Sequence, residues 1–472
     1  KPHGTHICVP YKPAEKGEAL ILTDYYLIVE RMKQVSILKS IQNFFRRQPP
    51  GRIIAAGFAL VILLGAGLLL LPFSVKPGQT FTPLDSLFTA TSAVCVTGLV
   101  VVDAADTLTL FGQVVLALLI QIGGLGITSV GIALALAAGR SISIRGRSLV
   151  REALNVDSFS GMVKLIHAVF TVTLVCEGVG AAVSYTSFVR DFAPAKAAWI
   201  SVFHAIASFN NAGFDILGGG RGLVPYQSDV VLNLVTDAMV IVGGIGFLVL
   251  VDIQRCRFRF RKFLLHTKVV LFTTAALLLG GTVLLRLTEG LPWLGCLFTS
   301  MTTRTAGFAT YPLGEFSKAG LMVVMLLMFI GASPGSTGGG IKTTTFFVLM
   351  REVSSVFSKR RPGAFHRRLP EDSLSRAATI TLLGFIVALV GTFLLCLLEP
   401  QTDFIALLFE EISAYSTAGL STGITGGLCA ASRWVLIFTM YIGRVGAFTL
   451  LSLWVNRPAP VAHYTEEAIT IG

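Results

Sequence analysis

Apolar runs long enough to cross a lipid bilayer recur from one end of this chain to the other. A membrane helix needs about 20 mostly apolar residues. Such runs stand near 53–74, 108–137, 162–188, 230–252, 268–288, 320–350, 376–398 and 433–455, so eight spans are expected. Between each odd span and the next even one lies a shorter apolar segment, near 83–94, 194–208, 292–303 and 400–415, too short to cross. Composition agrees: 14% of the 472 residues are charged and 53% are apolar, against roughly 25% charged in a soluble domain. That balance excludes disorder and argues against a soluble enzyme.

The net charge of +12 then needs an address. With the N-terminus inside, the inner segments are 1–52, 138–165, 252–268, 351–376 and the tail, and they hold 28 of the 38 Lys and Arg. This is the positive-inside pattern, and it predicts a multi-pass protein with both termini in the cytoplasm. The run Arg255, Arg257, Arg259, Arg261, Lys262 is accordingly a topology signal with anionic membrane lipid as its contact, and nucleic acid is not an expected partner. Cys8, Cys95, Cys176, Cys256, Cys296, Cys396 and Cys429 form no CxxC pair and no zinc-like spacing, so they are expected as core filler. Residues 1–31 are polar and unlike the rest, and the functional chain is expected to begin near Met32 with a basic amphipathic lead-in. The first apolar run lacks a small-residue cleavage site, so it is not a secretory signal.

One unit recurs four times. Pro83, Pro194, Pro292 and Pro400 each open a short segment, which carries Phe88, Phe203, Phe298 or Phe409. Each segment ends in a small residue, a glycine and a bulky apolar residue: Thr97-Gly98-Leu99, Ala212-Gly213-Phe214, Ala306-Gly307-Phe308 and Ala418-Gly419-Leu420. The proline-to-glycine spacing is 15, 19, 15 and 19 residues. A second glycine set follows in the next span, at Gly123, Gly243, Gly331 and Gly443, and is expected to let inner helices cross closely. The predicted fold is an all-α integral membrane protein of eight transmembrane helices, in four span–pore helix–span repeats around a pseudo-fourfold central pore. The predicted boundaries are 1–50 for a cytoplasmic extension and lead-in, then 51–137, 138–253, 254–351 and 352–456 for the repeats, and 457–472 for a cytoplasmic tail.

The physics of the unit is specific. Proline suits the first helical turn, and Thr82 with Asp85 adds a cap and a favourable charge. A short helix ending at membrane depth aims its negative end at the centre of the protein, which favours a cation. The loop beyond it is tolerated there only if it lines a cavity or is buried in protein. Four such loops around one axis make a ring of carbonyl oxygens, the device that selects a dehydrated alkali cation.

The stretches FTATSAVCVTGLVVVD (88–103), SFNNAGFD (208–215), TTRTAGFAT (302–310), GASPGSTGGGIKT (331–343) and SAYSTAGLSTGIT (413–425) resemble the Trk/Ktr/HKT superfamily of potassium transporters. Within it the chain is most similar to the KtrB membrane subunits of bacterial Ktr systems. The resemblance runs from about residue 40 to the closing EEAITIG. It implies potassium uptake across the cell membrane, with K+ held at the filter glycines Gly98, Gly213, Gly307 and Gly419. Val96, Thr97, Asn211, Ala212, Thr305, Ala306, Thr417 and Ala418 would supply the neighbouring carbonyls. Relatives that prefer sodium often carry serine at the first glycine position, so Gly98 points to potassium; a sodium-preferring transporter of the same fold is the alternative. Ala418 stands where valine is common and Ala447 where proline is common. The resemblance also implies a homodimer and a cytosolic nucleotide-binding ring of the KtrA type, with no cofactor held by this chain. Sodium as a coupling or activating ion is left open.

The segment 331–341 is expected to break the sixth span, since Pro334 and five glycines cannot continue a helix; its three counterparts are expected to be continuous. The resemblance makes this stretch an intramembrane gate, carried by Gly331, Ser333, Gly335, Ser336, Thr337, Gly338, Gly339 and Gly340. Arg444, in the slot held elsewhere by Gly124, Gly244 and Ala332, must face a cavity or an acceptor rather than lipid, and resembles the family's pore arginine. Lys342 either anchors the loop end or snorkels to the surface. Glu177, Glu410 and Glu411 are expected to serve structural hydrogen bonds, and Arg304 to tune the outer-mouth potential. His167, His204 and His266 are scattered. An enzyme is not expected: the phosphate-loop likeness of 335–343 fails because Ile341 separates glycine from lysine, and Ser333 has no paired base.

Overall fold

A computed structural model describes residues 50–127, 129–131, 162–359, 362–370 and 372–446, with Gln48 and Thr449. The expectations for residues 1–31, the Met32 lead-in, Ala447, the basic loop 138–161 and the tail lie outside the described residues. All elements below belong to the unit Pro50–Gly472.

The helices are α1 (Pro50–Leu69), α2 (Pro83–Val94), α3 (Ala104–Thr107), α4 (Leu110–Leu125), α5 (Met162–Phe188), α6 (Pro194–Phe209), α7 (Val230–Gly244) and α8 (Phe247–Arg255). Then come α9 (Leu265–Glu289), α10 (Trp293–Thr302), α11 (Lys318–Phe329), α12 (Thr343–Ser358), α13 (Asp372–Leu398), α14 (Phe404–Ser416) and α15 (Ala430–Val445). A two-stranded hairpin, β1 (Gly363–Ala364) with β2 (Arg367–Arg368), separates α12 from α13.

Four of the eight expected spans are single helices. Among the described residues α1, α5, α9 and α13 are each long and apolar enough to cross a membrane. The other four are shortened by glycine. Helix α4 stops at Leu125 before Gly126, α7 turns through 93° into α8 at Ile245–Gly246, and α15 stops before Gly446. All three glycines hold positive φ, at 81°, 95° and 92°, a region closed to most side chains. The expected continuity is therefore corrected for α7, which bends at Gly246; α4 and α15 likewise end at a positive-φ glycine three residues after the packing glycine. The fourth break, between α11 and α12, is of another kind and runs from Ile330 to Lys342.

Two of the four prolines sit in the first helical turn, Pro83 and Pro194, but Pro292 is the residue before its helix and Pro400 precedes its own by several residues. In the fourth case Asp403 takes the cap, its carboxylate accepting the N–H of Ile405. Thr82 and Asp85 form a reciprocal capping box on α2. Glu399, just past α13, accepts the N–H of Cys429 at 2.6 Å and the Ser432 hydroxyl at 2.9 Å, which holds its carboxyl below the usual range and ties down the start of α15.

Packing follows a cyclic order. Each short helix lies against the long helix before it: α2 on α1, α6 on α5, α10 on α9, α14 on α13. Each also meets the shortened helix of another unit: α6 meets α4, α10 meets α7, α14 meets α11, and α2 meets α15. The last contact joins the end of the chain to its beginning. Phe88, Phe203, Phe298 and Phe409, one per short helix, are fully buried at these junctions. The packing glycines set the spacing: a Cβ on Gly123, Gly243 or Gly443 would strike the carbonyl of Val94, Phe209 or Tyr415 respectively, four residues before Gly98, Gly213 and Gly419 in turn.

Candidate ion pathway

The four short helices end in four loops that meet. A Cβ built on Gly98 would lie 2.5 Å from the carbonyl oxygen of Ala212, and one on Gly213 2.8 Å from that of Ala306. One on Gly307 would lie 2.9 Å from the oxygen of Ala418, and one on Gly419 would strike that of Thr97. The order is closed, each glycine facing the carbonyl that precedes the next glycine. No side chain fits at any of the four positions.

The backbone alternates in hand. Gly98, Gly213, Gly307 and Gly419 hold φ of 95°, 67°, 81° and 78°. Two residues earlier, Val96, Asn211, Thr305 and Thr417 also hold positive φ, at 56°, 58°, 71° and 51°; the residues between them do not. For β-branched Val and Thr this conformation is a genuine outlier, held only where surroundings dictate it. Each loop is fastened to its own helix end, for example by Thr97 N–H to Ser92 O at 2.8 Å and Ala418 N–H to Ser413 O at 2.9 Å. Among the described residues the carbonyl oxygens of Thr97, Ala212, Ala306 and Ala418 accept no hydrogen bond. Buried carbonyls without partners are costly, and four gathered where the loops meet are the kind of oxygen donors that suit a dehydrated cation.

A cavity of about 770 Å³ opens onto all four glycines. Asp103, Asp215 and Glu315 line it against one arginine, Arg221, a balance that concentrates cations. Asp103 and Asp106 accept the N–H groups of Gly220 and Gly219, at 2.6 and 2.9 Å, and so bind the rim of one loop to the next.

On the other side of the ring lies the 330–342 break, which uses the loops as its hydrogen-bond partners. Thr337 sends its N–H to Gly243 O at 3.2 Å and its hydroxyl toward Asn211 Oδ1 at 3.3 Å, and its carbonyl accepts from Arg444. Gly339 N–H donates to the Thr417 hydroxyl at 3.0 Å. A Cβ on Gly338 would strike Thr305 Oγ1, and one on Gly340 would lie 3.1 Å from Ser416 O. Ser333 N–H reaches Gly244 O at 3.0 Å, its hydroxyl meets that of Thr343 at 2.9 Å, and Ser336 bonds back to Ser333 O. Gly335 O accepts the N–H of Phe247 across the hinge, and Gly331 packs on Gly339. The break is thus satisfied partly from outside itself, through Gly243, Gly244, Phe247, Thr417 and Arg444.

Arg444 is the cross-tie. Its guanidinium donates to Thr337 O in the break and to Gly123 O in α4, and stands over the Phe58 ring at 5.8 Å. Lys342 Nζ donates to Gly338 O at 2.7 Å, so it anchors the loop end rather than reaching for a surface. Glu177 accepts from Asn210 Nδ2 at 3.1 Å and Glu411 from Thr439 at 2.8 Å, as structural hydrogen bonds. Glu410 holds the loop beyond Gly419, accepting Ser421 and Thr425 hydroxyls and the Thr422 N–H.

Arg304 departs from expectation. It is buried and directed at Thr274 in the middle of α9, away from the outer cavity. Sequence reasoning also missed the bond from Arg433 to Asp85, at 2.7 Å across 348 residues. Asp85 had an adequate local role as a cap, so nothing in the sequence advertised a second one.

A family model described as TrkH, cation transport protein, matches residues 52–268 and 260–460. This chain belongs to that family. It is 40% identical over 445 residues to the potassium/sodium uptake protein NtpJ of Enterococcus hirae, covering 90% of this chain and 98% of that one. It is 36% identical over 420 residues to the Ktr system potassium uptake protein B of Bacillus subtilis, covering 86% and 93%. The structure of the potassium transporter TrkH from Vibrio parahaemolyticus superposes with a TM-score of 0.66 over 85% of both chains at 20% identity, a likeness of fold. The expected Trk/Ktr, KtrB-like character holds, and the chain is a membrane cation transporter of the TrkH family, not an enzyme.

Proposed function

We propose that this TrkH-family chain takes up potassium through one pore of its own, made by eight spans in four repeats about a pseudo-fourfold axis. Three spans are then bent at glycine hinges and one is broken. The observation that carries this reading is the closed ring of four glycines with four unpartnered carbonyl oxygens. Hydrated K+ gathers in the acidic outer cavity, sheds water at Thr97, Ala212, Ala306 and Ala418, and is stopped by the 331–341 gate until Thr337 leaves Arg444. Both termini lie in the cytoplasm, where a nucleotide-binding ring of the KtrA type acts on the gate of a homodimer. The names of relatives that carry potassium, or potassium and sodium, support the choice of ion.

The test is growth of a potassium-uptake-deficient strain on limiting K+. The wild-type gene should rescue growth, and Gly98→Ser, by placing a side chain against Ala212 O, should remove the preference for K+ over Na+. No rescue from a protein present in the membrane would sink the potassium assignment. Equal K+ and Na+ uptake by wild type would favour the sodium-transporting alternative.

A further inference from the structure

A second cavity, of about 880 Å³, lies far from the pore at the other end of α12. One wall is a single face of that helix: Phe347, Arg351, Ser354, Ser355 and Ser358 follow at helical spacing. The facing wall is the 363–368 hairpin, and the floor includes Phe272 of α9. The hairpin is held in place by Arg351 Nε, which donates to Gly363 O at 3.0 Å. The Phe365 ring stands edge-on to Phe260 and Phe272, at 6.2 and 6.4 Å. Phe365 and His366 both take positive φ, at 49° and 63°. Their tight turn throws Arg367 and Arg368 onto the cavity wall.

The lining chemistry is one-sided. Arg351, Arg367, Arg368 and His366 line the cavity with Ser354, Ser355 and Ser358, and no carboxylate is among the described lining residues. Ser355 and Ser358 donate to carbonyls of their own helix, whereas three arginines and the Ser354 hydroxyl around a pocket fit a phosphate group. The floor adds a second requirement. Phe272 is 57% exposed, two turns into a helix long and apolar enough to cross a membrane. A free phosphate makes no use of that ring, whereas an acyl chain lies along it.

We propose that the cavity between α12, the 363–368 hairpin and α9 binds the phosphodiester headgroup of an anionic phospholipid, with an acyl chain along Phe272. The headgroup bonds to the arginines at the far end of α12. Since α12 begins one residue after Lys342, its occupant holds the helix that leads out of the gate; this consequence, unlike the binding, rests on the gate reading above.

The test titrates the purified full chain in detergent with phosphatidylglycerol, phosphatidylcholine or inorganic phosphate and reads bound lipid by native mass spectrometry. Phosphatidylglycerol should bind about tenfold more tightly than phosphatidylcholine. In R367Q/R368Q that preference should vanish, while the charge-keeping R367K/R368K and the distant R257Q/R259Q should retain it. Equal binding of both lipids by wild type overturns the proposal. So does equal loss in R257Q/R259Q, which would mean diffuse surface charge, or displacement of lipid by equimolar inorganic phosphate, which would make the ligand a free anion. In liposomes, exchanging phosphatidylglycerol for phosphatidylcholine should change K+ flux in wild type and not in R367Q/R368Q. Selective binding without that change would keep the site and break only its link to the gate.

Discussion

Three of the four shortened helices yield at one glycine, and the fourth yields over a dozen residues. At Gly126, Gly246 and Gly446 a single positive φ turns the chain, and helical hydrogen bonding resumes or ends within a turn. Between Ile330 and Lys342 the helix loses that self-sufficiency. Its amides turn to Gly243, Gly244 and Thr417, and its carbonyls to Arg444, Lys342 and Phe247. A hinge turns on one glycine, although at Gly246 the next amide, of Phe247, bonds to Gly335 O in the break. A break whose polar groups are held by α7, α8, α15 and the loop residue Thr417 changes state only when those elements exchange partners, so it reports on them and they on it.

The largest test of this contrast removes the break. Deleting Gly335–Gly340 should raise K+ flux through the isolated subunit well above wild type, read as uptake into liposomes; unchanged flux from a well-folded protein would make the break a packing kink. Arg444→Gln comes next. It withdraws charge-assisted bonds from Thr337 O and Gly123 O; the one to the break, worth roughly 1.5–3 kcal/mol, corresponds to a rise of about ten- to a hundredfold in the flux of the subunit alone. Arg444→Lys should reverse part of that rise.

The hinges give the next effect and divide among themselves. Alanine at Gly126 meets nothing nearer than Ser129 Oγ at 4.0 Å, but at Gly246 its Cβ would lie 2.5 Å from Pro334 O in the break. Both changes carry the left-handed cost of roughly 1–2 kcal/mol, which lowers the melting temperature of each. Only Gly246→Ala should also change flux. If Gly126→Ala changes flux equally, hinge and break are not separate devices. Lys342→Met should have the smallest effect, since both carbonyls it holds, Gly338 O and Gly339 O, lie within the break itself; a charge-assisted bond at the low end of roughly 1.5–3 kcal/mol is read as about a tenfold rise in flux with an unchanged preference among ions.

The sequence made the four glycines legible as a set because each stands nine or ten residues behind a phenylalanine and 15 or 19 behind a proline. It made the long break legible because Pro334 and five glycines leave a helix no means to continue. It hid the hinges, since Gly126, Gly246 and Gly446 sit three residues from glycines that already had a packing role. The positive φ of Val96, Thr305 and Thr417 was also hidden. β-branched residues announce extended backbone, and only the closure of the ring holds them otherwise. Arg304 shows a further limit: adjacency to a filter residue does not tell on which side of a turn a side chain leaves. Glu410 was legible as a structural acceptor, but not the three donors it gathers from a loop eleven to fifteen residues on.

The bond between Arg433 and Asp85 has a consequence for biogenesis. Asp85 is made early and is almost fully buried in the finished protein, yet its cationic partner is translated 348 residues later. Until then the carboxylate has only its Thr82 cap, so the charge of the first short helix is neutralised only when the last repeat is in place.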